Sequence, residues 1–176
     1  VAGIPGATEF RRALNDLAFD PKDANVLYAA VSGFGGSHLY RTTNVSSPSP
    51  SWFTLDAGIP DAPVNAVLVD PESTNVLYAG SDLGLFKSDD GGVSWALQLN
   101  GIPKVAIHDL VADAGTRALV AFTHGRGAFR LNLVCTPPNF GGVEAASDPS
   151  ACAAGLAVAW SAPSRCCVRD SPSSSR

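Results

Sequence analysis

The stretch NVLYAGSDLGLFKSDDGGVSW, Asn75 to Trp95, decides how the rest of the chain is read. "NVLYAG" is rich in β-forming residues and stops at a glycine, and "GLFKS" alternates apolar and polar residues. Both read as short strands. Between "GLFKS" and the next short run, "SWALQL", lies "SDDGGVSW". Two aspartates and two glycines this close together admit several readings: a metal site, a phosphate cradle, a carboxylate pair or a turn. The turn has the fullest physical account. A tight connection needs a residue free to take positive φ, which Gly91 or Gly92 supplies. Its amides need acceptors, which the Asp90 carboxylate and the Ser88 hydroxyl provide. Trp95 then anchors the hairpin by burying its ring between neighbouring units. A calcium loop would want further acidic ligands, so no metal is expected there.

Working outward, the stretch belongs to a repeat. "GIPGATEFRRALNDLAFDPKDANVLYAA" opens one copy at Gly3, "GIPDAPVNAVLVDPESTNVLYAG" a second at Gly58, and "GIPKVAIHDLVADAGTRALVAFT" a third at Gly101. The second and third align without a gap from Gly58 and Gly101 through Lys87 and Arg130, while the first carries extra residues in "SGFGGSH" and "NVSSPSPS". Both insertions are turn-rich, and stacked units tolerate additions confined to loops. Each unit reads as four short strands separated by turn signals, with no amphipathic helix. Four strands at this period describe a β-propeller blade; a parallel β-helix has a much shorter repeat. The third copy supplies "IHDLVAD", "ALVAFTH" and "GAFRLNL" and then stops. The expected fold is therefore all-β: a partial β-propeller of two full four-stranded blades and a three-stranded final blade, followed by a loop-rich tail. Rings usually hold four to eight blades, so the remaining blades are expected to be missing from this chain.

Ser88, Asp90, Gly92, Ser94 and Trp95 fit the form Ser-x-Asp-x-Gly-x-Ser/Thr-Trp. This resembles the Asp-box of BNR-repeat propellers, a superfamily that includes sialidases, sortilin-type receptors and xyloglucanases. "THGRGAF", Thr123 to Phe129, resembles a closing-blade phrase of such propellers. The resemblance covers residues 1–134, read as the C-terminal part of a propeller. It implies that the box is structural and sits on the blade periphery, away from the ligand face. The first repeat keeps a degraded box in "RTTNVSSPSPSW", with Asn44 in place of the aspartate, and the third has none.

Composition bounds the function. Only 16% of the 176 residues are charged and the net charge is −4, which excludes the basic stripe that nucleic acid requires. No apolar run reaches the length of a membrane span. The opening "VAGIPGATEF" has neither a basic start nor an apolar centre and is not read as a signal peptide. Residues 135–176 change character. They hold all four cysteines, Cys135, Cys152, Cys166 and Cys167, in Ser- and Pro-rich sequence. No Cys-x-x-Cys zinc pair is present. Cysteines clustered in a loop-rich segment fit disulfides and an extracellular or periplasmic location, and Cys135 with Cys152 is one pairing. "GLAVAWSAP" resembles the first strand of a fibronectin type III-like module, and the Ser-rich end reads as partly disordered.

Candidate chemistry is sparse. His38, His108 and His124 fall at unrelated points of the repeats, and no Ser/His/Asp triad is visible. His124 and Arg126, in "THGRGAF", are turn residues that can also face the ring axis, where a guanidinium binds a carboxylate or glycan. Asp82, in "YAGSDLGLF", resembles an aspartate motif of xyloglucanases, but general acid–base chemistry needs a second carboxylate across a cleft and none is identifiable. Asp16 and Asp109 occupy equivalent strand-end positions. No cofactor is expected. The reading is a secreted module that binds glycan or protein, without catalysis of its own; the alternative is a piece of a sialidase-like or xyloglucanase-like glycoside hydrolase.

Overall fold

The structure, a computed structural model, describes Ile4 and residues 12–99, 101–113 and 115–133. The expectations for residues 135–176, including the cysteine pairing and the fibronectin-like strand, lie outside the described residues. Within them the chain is all-β, with no helix. The first sheet is β1 (Leu14–Phe19), β2 (Leu27–Val31), β3 (Leu39–Thr42) and β4 (Phe53–Thr54). The middle sheet is β5 (Val64–Val69), β6 (Leu77–Ser81), β7 (Gly84–Ser88) and β8 (Ala96–Leu97). The third is β9 (Ile107–Asp113), β10 (Ala118–Thr123) and β11 (Gly127–Asn132). Strand order in each sheet follows the chain and every pairing is antiparallel. Two four-stranded blades and one three-stranded blade make a partial β-propeller.

Strand register shows that the repeats do not align without gaps. Val67 pairs with Ala79 and its counterpart Leu110 pairs with Ala121, one residue sooner. The turn from Asp113 to Ala118 is one residue shorter than that from Asp70 to Val76, once the strand pairs are matched. The next turn restores the count, because Ser81 pairs with Gly84 across two residues and Thr123 with Gly127 across three. The two changes cancel, so the sequences look gapless while the residues between are shifted by one. Matched by structure, Asp82 corresponds to His124 and not to Gly125. Backbone bonds agree: Asp82 N donates to Pro63 O at 3.1 Å and His124 N to Ala106 O at 2.9 Å.

Sheets pack face to face. One core joins Val26, Tyr28, Ala30 and Leu39 of the first unit to Val64, Val67, Val69, Leu77, Ala79, Phe86 and Trp95 of the second. Another joins Ala66, Tyr78 and Leu85 to Ile107, Leu110, Leu119 and Ala121. The middle sheet is thus apolar on both faces, which is why β6 is buried throughout, "LYAGS" without an exposed residue. Trp95 is 8% exposed, and its indole N–H donates to Leu55 O in the link that leaves the first sheet. The outward face of the first sheet differs. Leu14, Leu17 and Phe19 are 38%, 40% and 58% exposed where their counterparts Val64, Val67 and Val69 are buried.

The closest approach between two sheets is at Gly80. A Cβ there would lie 2.7 Å from Ile107 Cγ2 and 3.2 Å from its Cβ, and a β-branched side chain cannot swing away. Gly80→Ala is expected to destabilise by about 1–3 kcal/mol through overpacking. Adding Ile107→Ala should recover part of that loss, giving a favourable coupling in a denaturant double-mutant cycle. Additive losses would contradict the contact.

Candidate functional site

In each sheet the first strand, nearest the neighbouring sheets, has one edge with no strand partner, and its backbone groups need other acceptors and donors. Side chains of the preceding sheet provide some. Asn15 Nδ2 donates to Val64 O at 3.5 Å and to Asn65 Oδ1 at 3.1 Å. Asn65 Nδ2 repeats the arrangement one sheet on, donating to Ile107 O at 3.0 Å. The Asp16 carboxylate accepts from Leu17 N at 2.8 Å and from Val67 N at 2.9 Å. Ala66 stands where Asp16 would be in the middle sheet, so Leu110 N turns to its own neighbour, Asp109 Oδ1, at 2.8 Å. Asp16 and Asp109 are therefore edge-satisfying residues within the strands.

The register slips at this same position in all three sheets, between Leu14 and Asp16, between Val64 and Ala66, and opposite Phe122/Thr123. Asn15, Asn65 and His108 are the extra residues of these bulges. A bulge re-aims its side chain, and in the second and third sheets it meets the side chain of the residue that opens the turn between the second and third strands. In the first sheet Asn15 reaches the next sheet and the turn residue's hydroxyl bonds Ala13. Those turn residues are Ser32, Asp82 and His124, matched by their backbone bonds to Ala13 O, Pro63 O and Ala106 O. Asn65 Nδ2 donates to Asp82 Oδ1 at 2.9 Å. The rings of His108 and His124 lie 5.4 Å apart, tilted by 45°. The sequence reading treated these histidines as unrelated; the structure brings them together. Arg126 lies in the same turn as His124 and is exposed.

The first sheet adds the longer loop between β2 and β3. His38, 1% exposed, has Nδ1 3.2 Å from Val31 O and Nε2 2.9 Å from Asp61 Oδ1. Both ring nitrogens face acceptors, so both bonds form only when both carry a proton. Asp61 also accepts from Gly35 N at 2.9 Å. The Gly35 amide, then the His38 ring, hold the Asp61 carboxyl below its usual range. Asp56 accepts from His38 N at 2.7 Å, and Arg12 donates to Ser37 O. The loop tip exposes Phe34. Nothing in the sequence pattern connected His38 with Asp61, because His38 lies in a loop unique to the first repeat and Asp61 in the opening of the second.

The box residues sit at the opposite end of the sheet. Ser88 pairs with Leu77, whereas Gly84, beside Asp82, pairs with Ser81. Ser88 Oγ donates to Asp90 Oδ1 at 2.7 Å and accepts from Gly92 N at 2.9 Å. Ser94 N and Oγ donate to the Asp90 carboxylate at 2.9 and 2.6 Å. Gly92 has φ +92°, and a Cβ there would sit 3.0 Å from Leu55 Cδ1. The first sheet repeats the pattern: Thr42 Oγ1 donates to Asn44 Oδ1 at 2.8 Å, and Ser51 N donates to the same oxygen at 2.9 Å. Thr42, Asn44 and Ser51 stand for Ser88, Asp90 and Ser94, with three extra residues between the last two. Among the described residues no group of three or more His, Cys, Asp or Glu side chains is placed to hold a metal, and no helix is long and apolar enough to cross a membrane.

No protein-family model matches the sequence, and no curated protein sequence matches it. Solved propeller structures do. An ancestral GH74 enzyme superposes with a TM-score of 0.53 at 27% identity, over 64% of this chain and 14% of that one. The GH74 enzyme of Niastella koreensis superposes with a TM-score of 0.53 at 21% identity, over 68% of this chain and 21% of that one. The chain spans at most about a fifth of those enzymes' length, and the likeness establishes a propeller fold.

The Asp90 carboxyl is pulled down to about 2, first by the Ser94 hydroxyl and amide and then by Ser88. A depressed carboxyl adds stability above its unfolded value of about 3.9 and loses it as pH falls through the folded value. Asp90→Asn keeps one acceptor oxygen, as Asn44 does, but cannot accept from Ser94 Oγ. Its melting temperature should lie below wild type by a constant amount above about pH 5, with the gap closing between about pH 4 and 2. A gap independent of pH would contradict the assignment.

Proposed function

We propose that this chain is a section of a secreted β-propeller that binds a glycan through the face carrying Asn15 and Ser32 and the Asn65–Asp82 and His108–His124 pairs. The observation that carries this reading is the repetition: each sheet delivers two polar side chains to the same end of its innermost strand. Sugars are recognised by such fixed donors and acceptors beside an aromatic ring, and Phe34 lies exposed on the loop between β2 and β3, at that end. Arg126 adds a cation. The box belongs to the Asp-box type and is structural, as its reuse by Thr42, Asn44 and Ser51 supports. Residues 1–134 are the blade unit and 135–176 a separate linker, and the cysteine-rich composition of the latter favours an oxidising compartment. The bared Leu14, Leu17 and Phe19 fit a ring that continues with further blades.

A second reading, a piece of a glycoside hydrolase, is favoured by the likeness to the ancestral GH74 enzyme and by Asp82, whose Oδ1 is oriented by Asn65 while Oδ2 is left for a substrate. Among the described residues no second carboxylate is hydrogen-bonded to Asp82, so the binding reading is preferred for this chain.

Titrating the full chain with xyloglucan oligosaccharides in a calorimeter tests both. Binding is expected on the order of millimolar, weakened about tenfold by Asn65→Ala, the worth of one good hydrogen bond. No heat at saturating oligosaccharide, or an unchanged affinity in the variant, would contradict the site. Hydrolysis that vanishes in Asp82→Ala would promote the second reading.

A further inference from the structure

Asn65 and His108 are the same residue of the repeat, and so are Asp82 and His124. In the middle sheet the pair is an amide and a carboxylate locked by a hydrogen bond of 2.9 Å. In the third sheet the same two backbone positions carry imidazoles. We propose that His108 and His124 form a two-imidazole binding site for a borderline transition-metal dication, Cu(II), Ni(II) or Zn(II).

The backbone fixes both partners. His108 is the extra residue where β9 slips against Phe122 and Thr123. His124 opens the following turn and is pinned by its amide to Ala106 O at 2.9 Å. The ring centroids are 5.4 Å apart. A metal about 2.0–2.1 Å from one nitrogen of each ring lies about 3 Å from each ring centre, which places the centres of a chelating pair about 4.5–5.5 Å apart. The observed spacing falls within that span. Both residues are exposed, so chelation requires little desolvation. Imidazole suits these ions, with Cu(II) bound most strongly and Ni(II) next. The Asn65 amide joins Asp82 Oδ1 to Ile107 O, which brings a carboxylate next to the residue preceding His108. No third His, Cys, Asp or Glu completes a set with the pair among the described residues. The remaining coordination positions belong to water or to an exogenous oxygen ligand. The third histidine, His38, is buried and engaged with Val31 and Asp61, so it does not compete.

The test is calorimetric titration of the full chain with nickel chloride near pH 7.5 in a non-chelating buffer, with free thiols alkylated. His108→Asn and His124→Asn are compared with wild type. Wild type should take up one equivalent, and each single variant should lose affinity by about tenfold or more, because one imidazole alone chelates nothing. Metal-free melting curves of both variants should match wild type, since neither side chain is buried. Nickel uptake by the variants equal to wild type, or no uptake by wild type, would overturn the proposal. Neither outcome depends on whether oligosaccharide binds.

Discussion

The fold depends on the middle sheet being apolar on both faces and thin enough for its neighbours to reach it. Val64, Val67 and Val69 fill one side against Tyr28, Ala30 and Leu39, and Ala66, Tyr78 and Leu85 fill the other against Ile107, Leu110 and Leu119. Gly80 is the condition for the second contact, because its missing side chain is the space that Ile107 occupies. Two sheets alone would leave a hydrophobic face bare on each; the third makes the middle one a core. Trp95 closes the first contact at its far end and ties the inter-sheet link by its indole N–H.

The candidate site follows from a cost of that arrangement. Stacking sheets around an axis leaves the first strand of each with an unpaired edge. Asn15, Asp16 and Asn65 reach across to the next sheet's backbone, and the bulge that frees them aims their heads along one end of the blades. Polar residues installed to satisfy an edge thereby form a row. Asn65 does both jobs at once, with one nitrogen serving Ile107 O and Asp82 together. Function on this face is an elaboration of edge satisfaction, and the residue pair at each position sets its chemistry.

Much of the architecture was legible in the sequence because it repeats. "NVLYAG", "GLFKS" and the glycine-punctuated turn fix strand, strand and connection through local chemistry alone. Blade count and strand count followed from the same copies. The box in the first repeat looked degraded, yet Thr42, Asn44 and Ser51 repeat two of the hydrogen bonds of Ser88, Asp90 and Ser94, since an amide oxygen accepts where a carboxylate oxygen does. The site was much less legible. A one-residue deletion before β10 and a one-residue insertion after it hid the match between Asp82 and His124. The bulges that unite Asn65 with Asp82, and His108 with His124, are set by pairing register, which composition does not encode. His38 and Asp61 met only through tertiary placement of a loop present in a single repeat.

Amide hydrogen exchange tests the central claim most directly. If the middle sheet is the shared core, the amides of Leu77, Ala79 and Val67 are the last to exchange, and the inner strands of the two outer sheets open before it. Protection of Val67 in particular reports the bond to the Asp16 carboxylate, since that amide has no strand partner on its open edge. Exchange of β5–β7 as fast as, or faster than, β1–β3 and β9–β11 would show three independently stable sheets and contradict the account.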